Sequence, residues 1–253
     1  MTAPASTASR WFRRHPSVTG PRLRLVCLPH AGGAASFFHA WGGAFGPDVE
    51  VLAARYPGRQ DRIADPFLED MASLADAVTA ALPPFLDRPL ALFGHSMGAS
   101  LAYEVTLRLR ERYGFRPEGL FVSGREAPHL VTPKDIHLRD DDQLVDEVLR
   151  LGGVDTALLA EPGLRDLVLP AIRSDFKVSG TYRAAGPVPV GTPVTAYVGD
   201  QDPNVTPEDV AAWEQVAGGG FAMRVFPGGH FYLEPERDAL IRDIAGRIGV
   251  ASS

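Results

Sequence analysis

Apolar positions along this 253-residue chain alternate between short continuous runs and longer stretches in which they recur at helical spacing. Leu23 to Leu28 reads as a buried strand that ends at Pro29. A helix is predicted from Ser36 to Phe45, and Val49-Glu50-Val51-Leu52-Ala53 reads as a second strand. Over residues 71–82, Leu74, Ala77, Val78, Ala81 and Leu82 share a helical face. Pro89-Leu90-Ala91-Leu92-Phe93 is a third strand, and Ala99 to Val105 has helical composition. Gly119 to Ser123 is a fourth strand. Between about 125 and 189 the alternation breaks into two amphipathic stretches, one around Gln143–Leu151 and one around Leu164–Phe176. In the second, Leu164, Leu167, Val168 and Ile172 share a face. Alternation resumes with a strand at Pro193–Val198, a helix near Glu208–Val216, a strand at Phe221–Phe226 and a last helix near Pro235–Ile248. Residues 1–21 are polar and contain Pro, Ser and Thr, which predicts a loosely packed lead-in.

Strands alternating with helices imply an α/β fold with a mostly parallel central sheet covered on both faces. The whole chain, 1–253, reads as a single domain. A helical stretch of this length without a strand reads as a lid inserted at about 125–190. The apolar faces of its helices fit a greasy binding chamber or lid-to-core packing equally well. Gly218-Gly219-Gly220 reads as a turn, and no repeats or low-complexity tracts appear.

Composition narrows the function classes. Hydrophobic residues at 45% are ample for a core, and the net charge of −6, with no basic run, argues against a nucleic-acid partner. An acidic partner would need a local basic patch. The lone cysteine, Cys27, lies in an apolar run and reads as a core residue in a reducing compartment. No signal-peptide h-region follows Arg10, Arg13 and Arg14, and no run approaches a membrane span, so a cytoplasmic location is expected. On that view the sequon Asn204-Val205-Thr206 is an accident of composition.

Chemistry enters at Gly94-His95-Ser96-Met97-Gly98, a G-x-S-x-G set between a strand and a helix. In that context the motif is the nucleophile elbow of an α/β-hydrolase fold, with Ser96 projecting from the sheet end. A serine hydroxyl needs a base. His230, in the late loop Pro227-Gly228-Gly229-His230-Phe231, follows a strand and precedes the last helix. His129 and His137 fall in the lid region, and His95 is too local to serve Ser96. The acid is expected after the strand ending at Val198, where Gly199-Asp200-Gln201-Asp202-Pro203 offers two carboxylates. The usual strand-end spacing selects Asp202 and leaves Asp200 as a loop-capping residue. Backbone donors for an oxyanion are expected from Met97 and from the Gly-rich loop Pro29-His30-Ala31-Gly32-Gly33, with Ala31 N–H the second donor. The glycines of that loop lack the spacing of a phosphate-binding fingerprint.

Taken together, Leu28-Pro29-His30-Ala31-Gly32-Gly33, Tyr56-Pro57-Gly58-Arg59 with Arg62, Gly94–Ala99, Gly199–Pro203 and Gly228–Phe231 resemble the type II thioesterases of polyketide and non-ribosomal peptide biosynthesis. The resemblance spans about residues 22–245, and the P-H-A-G-G loop with Y-P-G-R is its most specific part. It implies hydrolysis of acyl or peptidyl thioesters from the phosphopantetheine arm of carrier proteins, which would be the partners. It also implies no cofactor and no metal, and a triad of Ser96, Asp202 and His230. Arg59 and Arg62 have two readings, structural ion pairs in a turn or phosphate partners at the pantetheine entrance. The competing functions are a carboxylesterase or lipase of the same fold, an acyltransferase or cyclase, and a non-catalytic binding protein on the same scaffold. The Met1 start is read as favouring a stand-alone hydrolase over a fused cyclase.

Overall fold

The computed structural model describes residues 7–15, 19–152, 159 and 161–250. Its centre is a seven-stranded sheet in the order β1-β3-β2-β4-β5-β6-β7. The strands are β1 Phe12–Arg14, β2 Leu23–Leu28, β3 Val49–Ala54, β4 Leu90–His95, β5 Leu120–Ser123, β6 Val194–Gly199 and β7 Phe221–Phe226. β1 runs antiparallel to β3, and the remaining pairs are parallel. A parallel sheet buried on both faces needs strands that are apolar throughout rather than alternating. β2, β4, β5 and β6 meet that need, each being buried along its whole length.

Side chains of one strand still point alternately to opposite faces. Along β2, Val26 and Leu28 enter one core and Leu25 and Cys27 the other. The first core is covered by α2 (Met71–Ala80) and α3 (Met97–Tyr113), which contribute Leu74, Val78, Leu101 and Val105. The second is covered by a 3-10 segment at Ala35–Trp41 and by α7 (Arg237–Arg247), which contribute Phe38, Trp41, Leu240 and Ile244. Cys27 is fully buried, and burial pushes its thiol pKa well up, so it packs as a core residue.

Three expectations are corrected. The stretch Ser36–Phe45 is not an α-helix but a 3-10 segment, Ala35–Trp41. Its aromatic residues are weak helix formers and Gly42-Gly43 follow at once. The tighter coil eclipses residues three apart, which sets Phe38 and Trp41 edge to face with centroids 5.1 Å apart. The predicted helix near 208–216 is likewise split, into α6 (Pro207–Ala211), capped by Thr206 and Asp209, and a 3-10 turn at Ala212–Val216.

The lead-in is not loose where it is described. Residues Thr7–Trp11 form a short helix, α1, and β1 then pairs with β3. Trp11 and Phe12 are buried, Phe12 meets Phe85 edge to face, and Arg14 Nε donates to Glu50 at 2.6 Å. Two adjacent basic residues, Arg13 and Arg14, had masked an apolar pair too short to show a period.

Between β5 and β6 the described residues contain no strand. They include α4 (Asp141–Leu151), capped by the Asp140 carboxylate accepting from Gln143 N–H at 2.9 Å, and α5 (Pro162–Thr181). These elements share a cluster of Ile136, Leu144, Val148, Leu159, Leu169 and Ile172. The expected shared face of α5 is only partly buried. Ile172 is covered, but Leu164 and Leu167 are about half exposed. Leu167, Val168, Ala171 and Ile172 turn instead toward a groove of ≈ 420 Å³ opposite His30, Phe37 and Ile63.

Two imidazoles are buried at the C-terminal ends of β2 and β4. His30 lies edge to face with Phe37 and Phe231, and His95 is fully covered. Burial, helped by the positive fields of His230 and Arg59, lowers the His30 pKa to about 3. Burial, with His230 and His30, holds His95 well below the usual imidazole value as well.

Two outcomes follow. Phe12→Ala should destabilise the fold by about 3 kcal/mol, a typical cost for a buried aromatic, read by chemical denaturation. A change under about 0.5 kcal/mol, the scale of a surface substitution, would restore the loose lead-in. For pH, both histidines are neutral when folded and free to protonate below about 6.5 when unfolded. The unfolded state then binds more protons, so stability is present above that value and is lost as pH falls from about 6.5 toward 3. Each group contributes roughly 1.4 kcal/mol per pH unit in its window. His30→Phe should flatten the pH dependence of the denaturation midpoint between pH 6 and 4, and an unchanged slope would refute the assignment.

Candidate active site

The elbow is built by crowding. Ser96 has φ +54° and ψ −118°, a backbone conformation rare for a residue with a side chain. It is held there by Ser96 N–H donating to the Ser123 carbonyl at 2.7 Å and by α3 beginning at the next residue. A Cβ at Gly94 would collide with the Gly98 carbonyl, and one at Gly98 with the Leu28 carbonyl. Both glycines are therefore required by close backbone approach. The result is a half-buried Ser96 at the start of α3, beside the Met97 amide.

Backbone bonds draw the two later loops together. Asp200 N–H donates to the Phe226 carbonyl and Gln201 N–H to the Gly228 carbonyl, both at 2.9 Å. That zipper brings His230 Nδ1 to 2.6 Å from Asp202 Oδ2, with both side chains buried. The other Asp202 oxygen accepts from Asn204 N–H at 2.9 Å, an Asx turn that fixes the carboxylate. Asp200 lies elsewhere, accepting from Gly228 N–H at 2.9 Å and so tying the His230 loop to the loop of Asp202. Of the two carboxylates, Asp202 is the one that meets the imidazole.

A polar chain runs beneath. His95 Nδ1 lies 2.9 Å from Ser123 Oγ, which lies 2.7 Å from Tyr232 Oη. The His95 and His230 rings are 4.9 Å apart between centroids. This chain joins the residue before Ser96 to the residue two beyond His230.

Ser96, His230 and Ala31 line one cavity of ≈ 60 Å³. Its walls mix Ile136, Val148, Leu151, Phe176 and Phe231 with Arg125, Lys134, Glu147 and Asn204. α4 and α5 thus both pack on each other and line the chamber, which is less greasy than their faces suggested. Among the described residues, no cluster of three or more His, Cys, Asp or Glu side chains is placed to hold a metal ion.

The two arginines do not present free forks to a phosphate. Arg59 Nη1 and Nη2 grip the Asp175 carboxylate at 2.6 and 2.7 Å, Nη1 also donates to the Gly33 carbonyl at 2.8 Å, and Nε faces the Pro57 carbonyl. Burial works against the Arg59 charge, but the Asp175 carboxylate outweighs it and raises the pKa. Arg59 does line the groove beside the cavity. Arg62 is 8% exposed, with Nε on Asp65, Nη1 on the Arg55 carbonyl and its guanidinium 4.2 Å above the Trp11 ring. It fastens α1 to the body of the fold, so the pantetheine-entrance reading of Arg62 is corrected to the structural one.

Sequence reasoning gave no site role to Arg125, Asn204, Ser123, Tyr232 or Asp175. Asn204 had a local signal, since Asp-Pro-Asn is a turn sequence. Asp175 had none, because its partners lie 116 and 143 residues away.

Residues 23–248 match the family described as Thioesterase domain. The chain is 44% identical over 239 residues to Thioesterase PikA5 of Streptomyces venezuelae, covering 94% of this chain and 85% of that protein. It is 40% identical over 245 residues to a probable cadicidin biosynthesis thioesterase of Streptomyces griseus, covering 97% and 68% respectively. Among solved structures, the type II thioesterase BorB from the borrelidin biosynthetic cluster superposes with a TM-score of 0.86 at 40% identity, covering 99% of this chain and all of that one. With a family match across most of its length and relatives this similar, the chain belongs to the thioesterase family.

Proposed function

We propose that this protein hydrolyses acyl thioesters carried on the phosphopantetheine arm of carrier proteins, clearing stalled or misprimed groups from a polyketide or non-ribosomal peptide assembly line. The observation that carries the reading is the 2.6 Å contact between His230 and Asp202 in loops that border the Ser96 cavity, in a chain of this family. Similarity to PikA5 and BorB supports the assembly-line setting.

Ser96 Oγ attacks the thioester carbonyl while His230 Nε2 takes its proton. Asp202 accepts from His230 Nδ1–H, which fixes the tautomer and stabilises the imidazolium without itself being protonated. The amides of Met97 and Ala31 donate to the oxyanion, and the start of α3 adds its positive dipole end. As the C–S bond breaks, His230 gives that proton to the departing pantetheine thiolate, which leaves as the thiol. Water, activated by the same imidazole, opens the acyl-enzyme and regenerates Ser96.

A narrow cavity of ≈ 60 Å³ whose wall includes Arg125, Lys134 and Glu147 favours short acyl groups over long chains.

Loss of Ser96 Oγ in Ser96→Ala should lower kcat by about 10³-fold or more. Asp202→Asn should approach that loss, whereas Asp200→Asn, which loosens a loop, should cost under about 10-fold. A larger loss for Asp200→Asn would reverse the acid assignment. Carrier protein loaded with acetyl, propionyl, hexanoyl or decanoyl groups, followed by mass spectrometry of the freed carrier, tests the substrate. Short groups should be released at least about tenfold faster than decanoyl. Rapid cleavage of simple esters with no release from any carrier would make the protein an esterase instead.

A further inference from the structure

The Gly-rich loop carrying Ala31 is not self-supporting. Gly32 has φ +78°, and a Cβ there would sit 3.1 Å from Ile172 on α5. Gly32 N–H donates to Asp175 Oδ2 at 2.7 Å, one helical turn further along α5. Gly33 N–H closes a turn on the His30 carbonyl, and the Gly33 carbonyl receives Arg59 Nη1. Arg59 in turn grips both oxygens of Asp175 and lies 5.4 Å from the Tyr56 ring centroid, while Tyr56 Oη donates to the Pro29 carbonyl. One buried carboxylate on the lid helix therefore receives three donors, two from the Y-P-G-R turn and one from the residue after Ala31.

We propose that Asp175, with Arg59, is a positioning residue that sets the Ala31 N–H in the oxyanion hole, so that the hole is complete only while α5 is seated. The peptide unit joining Ala31 to Gly32 is oriented directly by the Asp175 bond, because Gly32 N–H lies in that plane. Without the carboxylate, the same amide loses its acceptor and two glycines are free to rotate the neighbouring Ala31 amide. A misaimed donor harms the transition state more than the bound substrate, since the negative charge on the oxygen exists only there. The inference rests on Ser96 and Ala31 acting as assigned above.

Asp175→Asn keeps the size but offers an amide N–H₂ where one of the three donors now points. On a small soluble thioester its kcat should fall about 10- to 100-fold, short of the loss for deleting an oxyanion donor outright. KM should stay within about threefold, and affinity for a boronic acid that mimics the tetrahedral intermediate should fall in step with kcat. Asp175→Glu, which restores the charge, should recover part of both. Each measurement is repeated on a p-nitrophenyl ester, so that a protein unable to open thioesters still reports on the clamp. If Asp175→Asn does not fold, Arg59→Lys, which keeps the charge but loses the fork, is read by the same criteria. Unchanged kcat and boronate affinity in a folded variant, or a loss confined to KM or to thermal stability, would overturn the proposal.

Discussion

Ser96 occupies a backbone conformation that costs on the order of 1–3 kcal/mol for a residue with a side chain, and the centre of the molecule is arranged to keep it there. The strain is held from two sides. β5 supplies the Ser123 carbonyl to the Ser96 amide, and β2 presses the Leu28 carbonyl against Gly98. Neither contact would exist without the parallel register of β2, β4 and β5, whose ends align at Leu28, Gly94, His95 and Ser123. The all-apolar strands are thus more than a core. They fix three strand ends closely enough that a serine can be held out of its relaxed geometry.

The same crowding governs charge. Under the proposed mechanism His230 becomes a cation, and His95 and His30 lie close by. Were either protonated, it would oppose that charge in a poorly solvated site. Burial prevents it, keeping both neutral through the physiological range. The only counter-charge in direct contact with His230 among the described residues is Asp202. His95 serves instead through Ser123 to Tyr232, anchoring the base loop to the strand that supports the elbow.

What was legible in the sequence was what depends on short segments. The elbow, the six parallel strands and the late histidine each sit in a local pattern that admits few alternatives. Asp202 rather than Asp200 lies against His230, as the spacing predicts, and an Asx turn to Asn204 holds its carboxylate there. Three kinds of feature were not legible. The strand at Phe12–Arg14 exists because β3 offers it an edge, which no property of those three residues reveals. The outward turn of Leu164 and Leu167 on α5 reflects where that helix sits, since amphipathic spacing identifies a face but not its neighbour. Arg59 and Arg62 carry identical charge and a shared motif, yet one holds α5 and the other the N-terminal helix. Their partners are distant in sequence, and pairing of that kind is decided by topology.

Selectivity in such a site comes from room rather than from attraction. A thiolate leaves readily, so the chemistry asks little of acyl binding, and each buried methylene adds only about 0.8 kcal/mol. That gain favours longer chains, the opposite of what a small chamber selects. Once the chamber is full, each added group must displace packed side chains such as Val148 or Phe176, at about 1–3 kcal/mol. The second effect exceeds the first, so discrimination appears abruptly at the size where the chamber fills. The polar members of the wall sharpen it. A methylene forced against Arg125 or Glu147 removes water from a charge without replacing its hydrogen bonds. Under the proposed function such a chamber would favour short acyl groups over long ones, with α5, one of its walls, tied to the Gly-rich loop by the Asp175 contacts.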